Sequence, residues 1–246
     1  MMNQVFAWEW RKNNIAWYWL ALAGTSFLGL LMGISQYTAY RADFEAQGAT
    51  YLAVWGQSAL LPATLFIPIL LGALQAQKMS SEHNGRNIAR LKTIGAEGKY
   101  VKAVTFHAFV VSLLSTLLFG VLQLGAGVFL GFRIADVFSL MPRLFVLALA
   151  MTAWQLIVIG IGVRLSGFSS IVTVVLIASL IGFGMAIAAP ALSAIYPPAL
   201  LAHASAVRSI GDFYATGSII AAGFICLTWI ILGMIFVKIQ FKRAKL

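Results

Sequence analysis

Ser80-Ser81-Glu82-His83-Asn84-Gly85-Arg86-Asn87-Ile88-Ala89-Arg90-Leu91-Lys92-Thr93-Ile94-Gly95 is the centre of a hydrophilic stretch, residues 77–102, set between two long apolar runs at 52–74 and 103–130. That alternation decides the fold. A helix rises about 1.5 Å per residue, so crossing a hydrocarbon core of about 30 Å takes roughly 20 apolar residues. Both flanking runs are long enough, and so are 15–34, 144–163, 171–190 and 217–237. The chain is 61% hydrophobic and 10% charged, with a mean hydropathy of +0.92. Soluble domains carry about 25% charged residues, so the solvent for most of this surface is lipid. The expectation is a single all-α integral membrane domain over residues 1–246, with six transmembrane helices. The alternating strands of a membrane β-barrel are not seen.

Six spans put both termini on one side. That side then holds thirteen of the seventeen Lys and Arg residues, including six in 77–102 and four in the tail: Lys238, Lys242, Arg243 and Lys245. The other side receives Arg41, Arg133, Arg143 and Arg208, and four of the seven acids. Cytoplasmic loops collect Lys and Arg, so both termini and 77–102 are expected inside, with the chain in a cell membrane. Trp17, Tyr18 and Trp19 would sit in the inner aromatic belt. The same rule accounts for the net charge of +10. Nucleic-acid binding is not expected, because tracking phosphates needs a continuous basic surface.

Two further segments have character. Residues 1–14 lack the small-residue cleavage site of a signal peptide. Phe6 and Trp10 lie there at helical spacing beside Glu9, Arg11 and Lys12, as in an interfacial helix; a disordered lead-in is the alternative. In 191–216, Tyr196-Pro197-Pro198 separates two mildly apolar runs. Proline stops helices, so this reads as a pair of re-entrant half-helices forming an outer gate hairpin, or else as a plain loop.

The spans offer little chemistry. They contain no Asp, Glu, Lys or Arg and one histidine, His107, which argues against an enzyme and against a proton-driven carrier. Gly95-Ala96-Glu97-Gly98-Lys99-Tyr100 has the wrong spacing for a phosphate loop. A lone cysteine, Cys226, gives no disulfide and no metal cluster. Gln57, Ser58, Thr64, Gln123, Thr152 and Gln155 either line a path or hydrogen-bond between helices. Pro62 and Pro68 should bend the second helix, and the pairs Gly29/Gly33 and Gly127/Gly131 suit close helix packing.

Within 77–102, Ser80 or Asn84 can cap a short helix and Gly95 can end it. Ile88 and Leu91 then fall on one face with Ile94 close by, while Glu82, Arg86 and Arg90 follow at four-residue steps. Such a two-faced helix either docks into a partner's groove or rests on anionic membrane lipid. Here the chain resembles the permeases of type-2 ABC transporters. Glu9-Trp10-Arg11-Lys12-Asn13-Asn14 before an aromatic-rich first span looks like their opening, and Glu82, Gly85, Leu91 and Lys102 fit their first inner loop. Small bacterial members include permeases that protect producers of lantibiotics. Many relatives place a proline and an arginine where this chain has Ile94-Gly95-Ala96-Glu97, which leaves the subfamily and the substrate open.

The resemblance implies the membrane subunit of an ATP-driven exporter of a lipophilic or amphipathic molecule, such as an antimicrobial peptide, a drug or a lipid. ATP and Mg would be bound by a separate ATPase subunit, with no cofactor in this chain, and a second permease chain, identical or paralogous, would complete the unit. Glu82, Arg86, Ile88, Arg90, Leu91 and Ile94 would contact the ATPase. The alternative is a non-transporting scaffold or sensor whose basic loop recruits a cytoplasmic partner.

Overall fold

The computed structural model describes residues 15–46, 51–207 and 213–244. The 1–14 segment expected to be interfacial, with Phe6, Glu9, Trp10, Arg11 and Lys12, lies outside the described residues. Among those described the chain is helical without strands, and six helices are long and apolar enough to cross a membrane. These are α1 (Ala16–Ala39), the compound helix Leu52–Asn84, α6 (Glu97–Phe129), the stretch Ile134–Arg164, α9 (Phe168–Ala188) and α11 (Thr216–Arg243). Each covers all, or all but one or two residues, of one of the apolar runs read from the sequence. The short elements between them are α2 (Arg41–Ala46), α5 (Asn87–Thr93), the 3₁₀ turn Pro190–Ile195 and α10 (Leu200–Ser205).

The second span is a composite. It opens as α3 (Leu52–Ser58), passes through a π turn at Pro62–Phe66 and continues as α4 (Ile67–Asn84). Prolines 62 and 68 lack the N–H that would bond back to residues 58 and 64, which loosens the ladder between them. The Ile67 N–H instead reaches the Pro62 carbonyl, five residues back. The fourth span likewise starts with a short helix, α7 (Ile134–Phe138), before α8 (Met141–Arg164).

Helix α8 is the hub. It is buried on nearly every side, with α11, α6, α4 and the short α10 packed around it. Polar side chains tie it in. Gln75 on α4 donates to the Gln155 side chain at 2.6 Å, and Gln155 donates to the Ser112 hydroxyl at 2.8 Å and the Ala108 carbonyl at 3.1 Å on α6. Thr152 meets Ser112 at 3.2 Å, and the Trp154 indole donates to the Pro68 carbonyl at 2.8 Å. Tyr18 departs from the expected aromatic belt: it is fully buried, with its hydroxyl 2.7 Å from that of Ser115. Its place in the aromatic run Trp17-Tyr18-Trp19 does not reveal that it faces α6.

Close approach fixes α1. A Cβ on Gly29 would lie 2.4 Å from the Ser58 carbonyl oxygen and 2.6 Å from Pro62, and one on Gly33 would lie 2.7 Å from the Ser58 side chain. Gly127 packs similarly, against Val137. Its expected companion Gly131 does not: at φ 83° it ends α6, with the Phe132 N–H bonded back to the Gly127 carbonyl.

The end opposite residues 77–102 closes on Arg143, a buried residue that its sequence position assigns only to a loop. Its Nε donates to the Phe213 carbonyl and an Nη to the Ser218 hydroxyl, both at 2.9 Å, and its guanidinium lies over the Phe213 ring. The Pro190–Ile195 turn and α10 flank Tyr196-Pro197-Pro198 and fold onto the bundle. Pro198 is buried where Gly182 of α9 leaves room, Tyr196 donates to the Ala178 carbonyl at 3.1 Å, and Trp55 donates to the Ser205 carbonyl at 3.0 Å.

Gly29→Val forces a side chain into the Ser58 backbone. It should destabilise the detergent-purified protein by about 1–3 kcal/mol in a thermal-unfolding series, as overpacked cores do. Gly24→Val, with open space around it, is the matched substitution expected to be near neutral.

A candidate docking helix at the basic end

Helix α4 does not stop where its apolar run stops. It continues to Asn84, and Lys78 and Glu82 are buried on it, 2% and 1% exposed. The chain breaks at Gly85-Arg86: the Gly85 N–H bonds to the Ser81 carbonyl, the Arg86 N–H to that of His83, and Arg86 is left-handed at φ 51°. α5 then runs from Asn87 to Thr93. It ends as the sequence suggests, with Gly95 at φ 61°, its N–H on the Lys92 carbonyl and the Ala96 N–H on that of Leu91.

This geometry corrects the single helix expected from Glu82 to Ile94. Glu82, Arg86 and Arg90 form no continuous ladder, because the break lies between the first two. Glu82 is inside the bundle and has no exposed face to offer. Ile88 is buried in the chain's own core, and Leu91 packs against that core. The apolar side of α5 is therefore used internally. What faces outward is Arg86, Arg90, Thr93 and Ile94, the last 72% exposed. An isoleucine that bare, just past the end of α5, is the one described residue of the expected contact whose apolar side is left open.

The basic elements meet at one end of the bundle. The His83 ring donates from Nε2 to the Gly162 carbonyl near the end of α8, at 2.8 Å. Lys92 of α5 donates to the Ala244 carbonyl just past α11. Trp17 of α1 donates to the Gln77 side chain at 2.8 Å. Between α5 and the ends of α8 and α11 lies a recess of about 660 Å³ lined by His83, Arg86, Ile88, Ala89, Val163, Arg164, Arg243 and Ala244.

Five of the six residues named as path or glue are buried. Ser58 accepts from Gln123 at 2.8 Å, and Gln123 accepts from Tyr51 at 2.6 Å. Thr64 bonds to the Leu60 carbonyl of its own helix, and Thr152 and Gln155 belong to the α8 network. Only Gln57 is exposed, on the outside of the bundle. Among the described residues, no three His, Cys, Asp or Glu side chains group to hold a metal ion.

Ile88→Asp and Ile94→Asp separate seat from tip. The first buries a carboxylate and should cost on the order of 3 kcal/mol in thermal unfolding. The second changes an exposed position and should stay within about 0.5 kcal/mol of wild type.

No family model matches the chain, and no curated protein does.

Proposed function

We propose that this chain is the membrane subunit of an ATP-driven exporter whose ATPase is a separate protein docking on the exposed edge of α5. The basic end would face the cytoplasm, as the excess of Lys and Arg there requires. The observation that carries the reading is the two-sided seating of α5. Ile88 and Leu91 fix it to the bundle, while Arg90 and Ile94 stand clear. A force applied to that edge is passed to the spans instead of being lost in a floppy loop.

The buried polar residues bear on the route of the cargo. Ser58, Gln123, Thr152 and Gln155 are consumed by bonds between helices, so they offer no polar path inside one chain. Gln57 faces outward, so a path would form between two copies of the chain or between this chain and a paralogue. The cargo is then lipophilic or amphipathic, entering from the bilayer through a largely apolar cleft. The same consumption of polar groups favours a second reading, a non-transporting scaffold that recruits a cytoplasmic partner through α5.

Copurification from native membranes distinguishes the two. A stoichiometric ATPase whose hydrolysis rises with cargo supports the exporter; a partner without nucleotide-binding activity supports the scaffold. For the exporter, Arg90→Glu with Ile94→Asp should leave membrane insertion intact and weaken ATPase binding about tenfold or more. Wild-type transport by that double variant in vesicles would exclude α5 as the docking element.

A further inference from the structure

We infer that the recess between α5, α8 and α11 is a binding site for a phosphate-bearing anion, supplied by the headgroup of an anionic phospholipid. Three arginines converge on it from positions remote in sequence: Arg86 at the break before α5, Arg164 at the end of α8 and Arg243 at the end of α11. Among the described residues no Asp or Glu lines it. The fold thus brings three arginines to the walls of one partly enclosed space of about 660 Å³, with no acid among the described residues that line it.

The commonplace explanation covers only part of this. Arg164 and Arg243 lie in the last turns of their helices, where the carbonyl ends favour cations. That preference accounts for a cation at each helix end. It does not account for the ends opening onto a shared cavity, where like charges repel and an anion relieves them. A guanidinium presents a planar fork of N–H donors that matches phosphate oxygens, and Arg is the residue that suits such a site best.

The remaining walls select the source of the phosphate. Ile88, Ala89, Val163 and Ala244, which line it beside the arginines, are apolar. Arg164 and Arg243 close two of the membrane-spanning helices, so the recess opens where the spans meet the membrane surface. A headgroup phosphate can sit among the guanidinium groups while its glycerol and the start of an acyl chain lie along the apolar wall. Basic pockets between transmembrane helices on the cytoplasmic side are read by phospholipid headgroups in this way. Two bonds hold the walls in place without occupying the arginines: His83 to Gly162, and Lys92 to the Ala244 carbonyl. A bound headgroup would bridge α5 to α8 and α11. The site does not depend on the exporter reading, since it needs neither an ATPase nor a cargo.

The test uses the full-length purified protein, with retained lipid read by native mass spectrometry and stabilisation by thermal unfolding. Phosphatidylglycerol, phosphatidylcholine and inorganic phosphate are titrated separately. The wild type should bind phosphatidylglycerol in preference to phosphatidylcholine. Arg86→Gln, Arg164→Gln and Arg243→Gln should each weaken that binding about fivefold, and the triple variant on the order of a hundredfold. Lys99→Gln and Lys102→Gln, exposed on α6 away from the recess, should leave it unchanged. Ala89→Trp fills the cavity while keeping every charge, so its loss of lipid binding separates a recess from a diffuse basic surface. Inorganic phosphate that binds alone, and displaces lipid in an arginine-dependent manner, supports the anion site with a soluble source. Equal binding of the two lipids, or a triple variant that binds as wild type does, overturns the proposal.

Discussion

The constraint beneath this structure is that a chain surrounded by lipid must satisfy its polar groups from within. A backbone N–H or C=O facing hydrocarbon without a partner costs several kcal/mol, so only helices and closed barrels cross. The same rule extends to side chains once helices pack. Because α8 has neighbours on nearly every side, its Gln155 is satisfied by other helices, through Ser112, Ala108 and Gln75, while Thr152 bonds both to Ala148 of its own helix and to Ser112. The bonds hold α4 and α6 to the hub. Shape does the rest: lipid gives no hydrophobic drive for helices to associate, so close approaches such as Gly29 against Ser58 supply the contact.

How much of this was legible follows from which signals are local. Six apolar runs show in the sequence because lipid demands length and hydrophobicity, and both are local. Gly95 was readable as a helix end for the same reason, since a left-handed terminus draws on the residue in place. Pro62 and Pro68 announced an irregular second span. The π turn that resulted needed the three-dimensional ladder to be seen. Facing was not legible. Tyr18 looked like a belt residue among Trp17 and Trp19, yet only its neighbour across the bundle, Ser115, decides that it points inward. Arg143 was counted as a loop charge, and its carbonyl partner Phe213 lies 70 residues away.

The docking helix shows the same division more sharply. Apolar spacing correctly marks Ile88 and Leu91 as one face of a helix, but spacing is silent on whether a partner or the chain itself covers that face. In the fold it is the chain itself, which moves the candidate contact to Arg90 and Ile94. Lys78 and Glu82 were misplaced for a related reason. Hydropathy ends the span near Leu74, whereas a helix needs only continuing backbone bonds. α4 carries on for about ten residues beyond the greasy run, taking both charged residues into the packed interior.

That extension has a mechanical consequence. α4 is 18 residues, about 27 Å, of uninterrupted helix from the π turn to the break before α5. Val175 of α9 packs where Gly72 leaves no side chain, and Gln75 is bonded to the hub. A helix held at both its middle and its packed end tilts more readily than it bends. On the proposed reading, load arriving at α5 therefore travels along α4 to the π turn, the weakest part of the span's hydrogen-bond ladder. Pro62 in that turn sits against Gly29 of α1, and α1 leaves much of its own surface outside the bundle. The route from the docking edge to the open flank of the molecule thus passes through one stiff element and one soft one. Those are the two properties a lever and its hinge require.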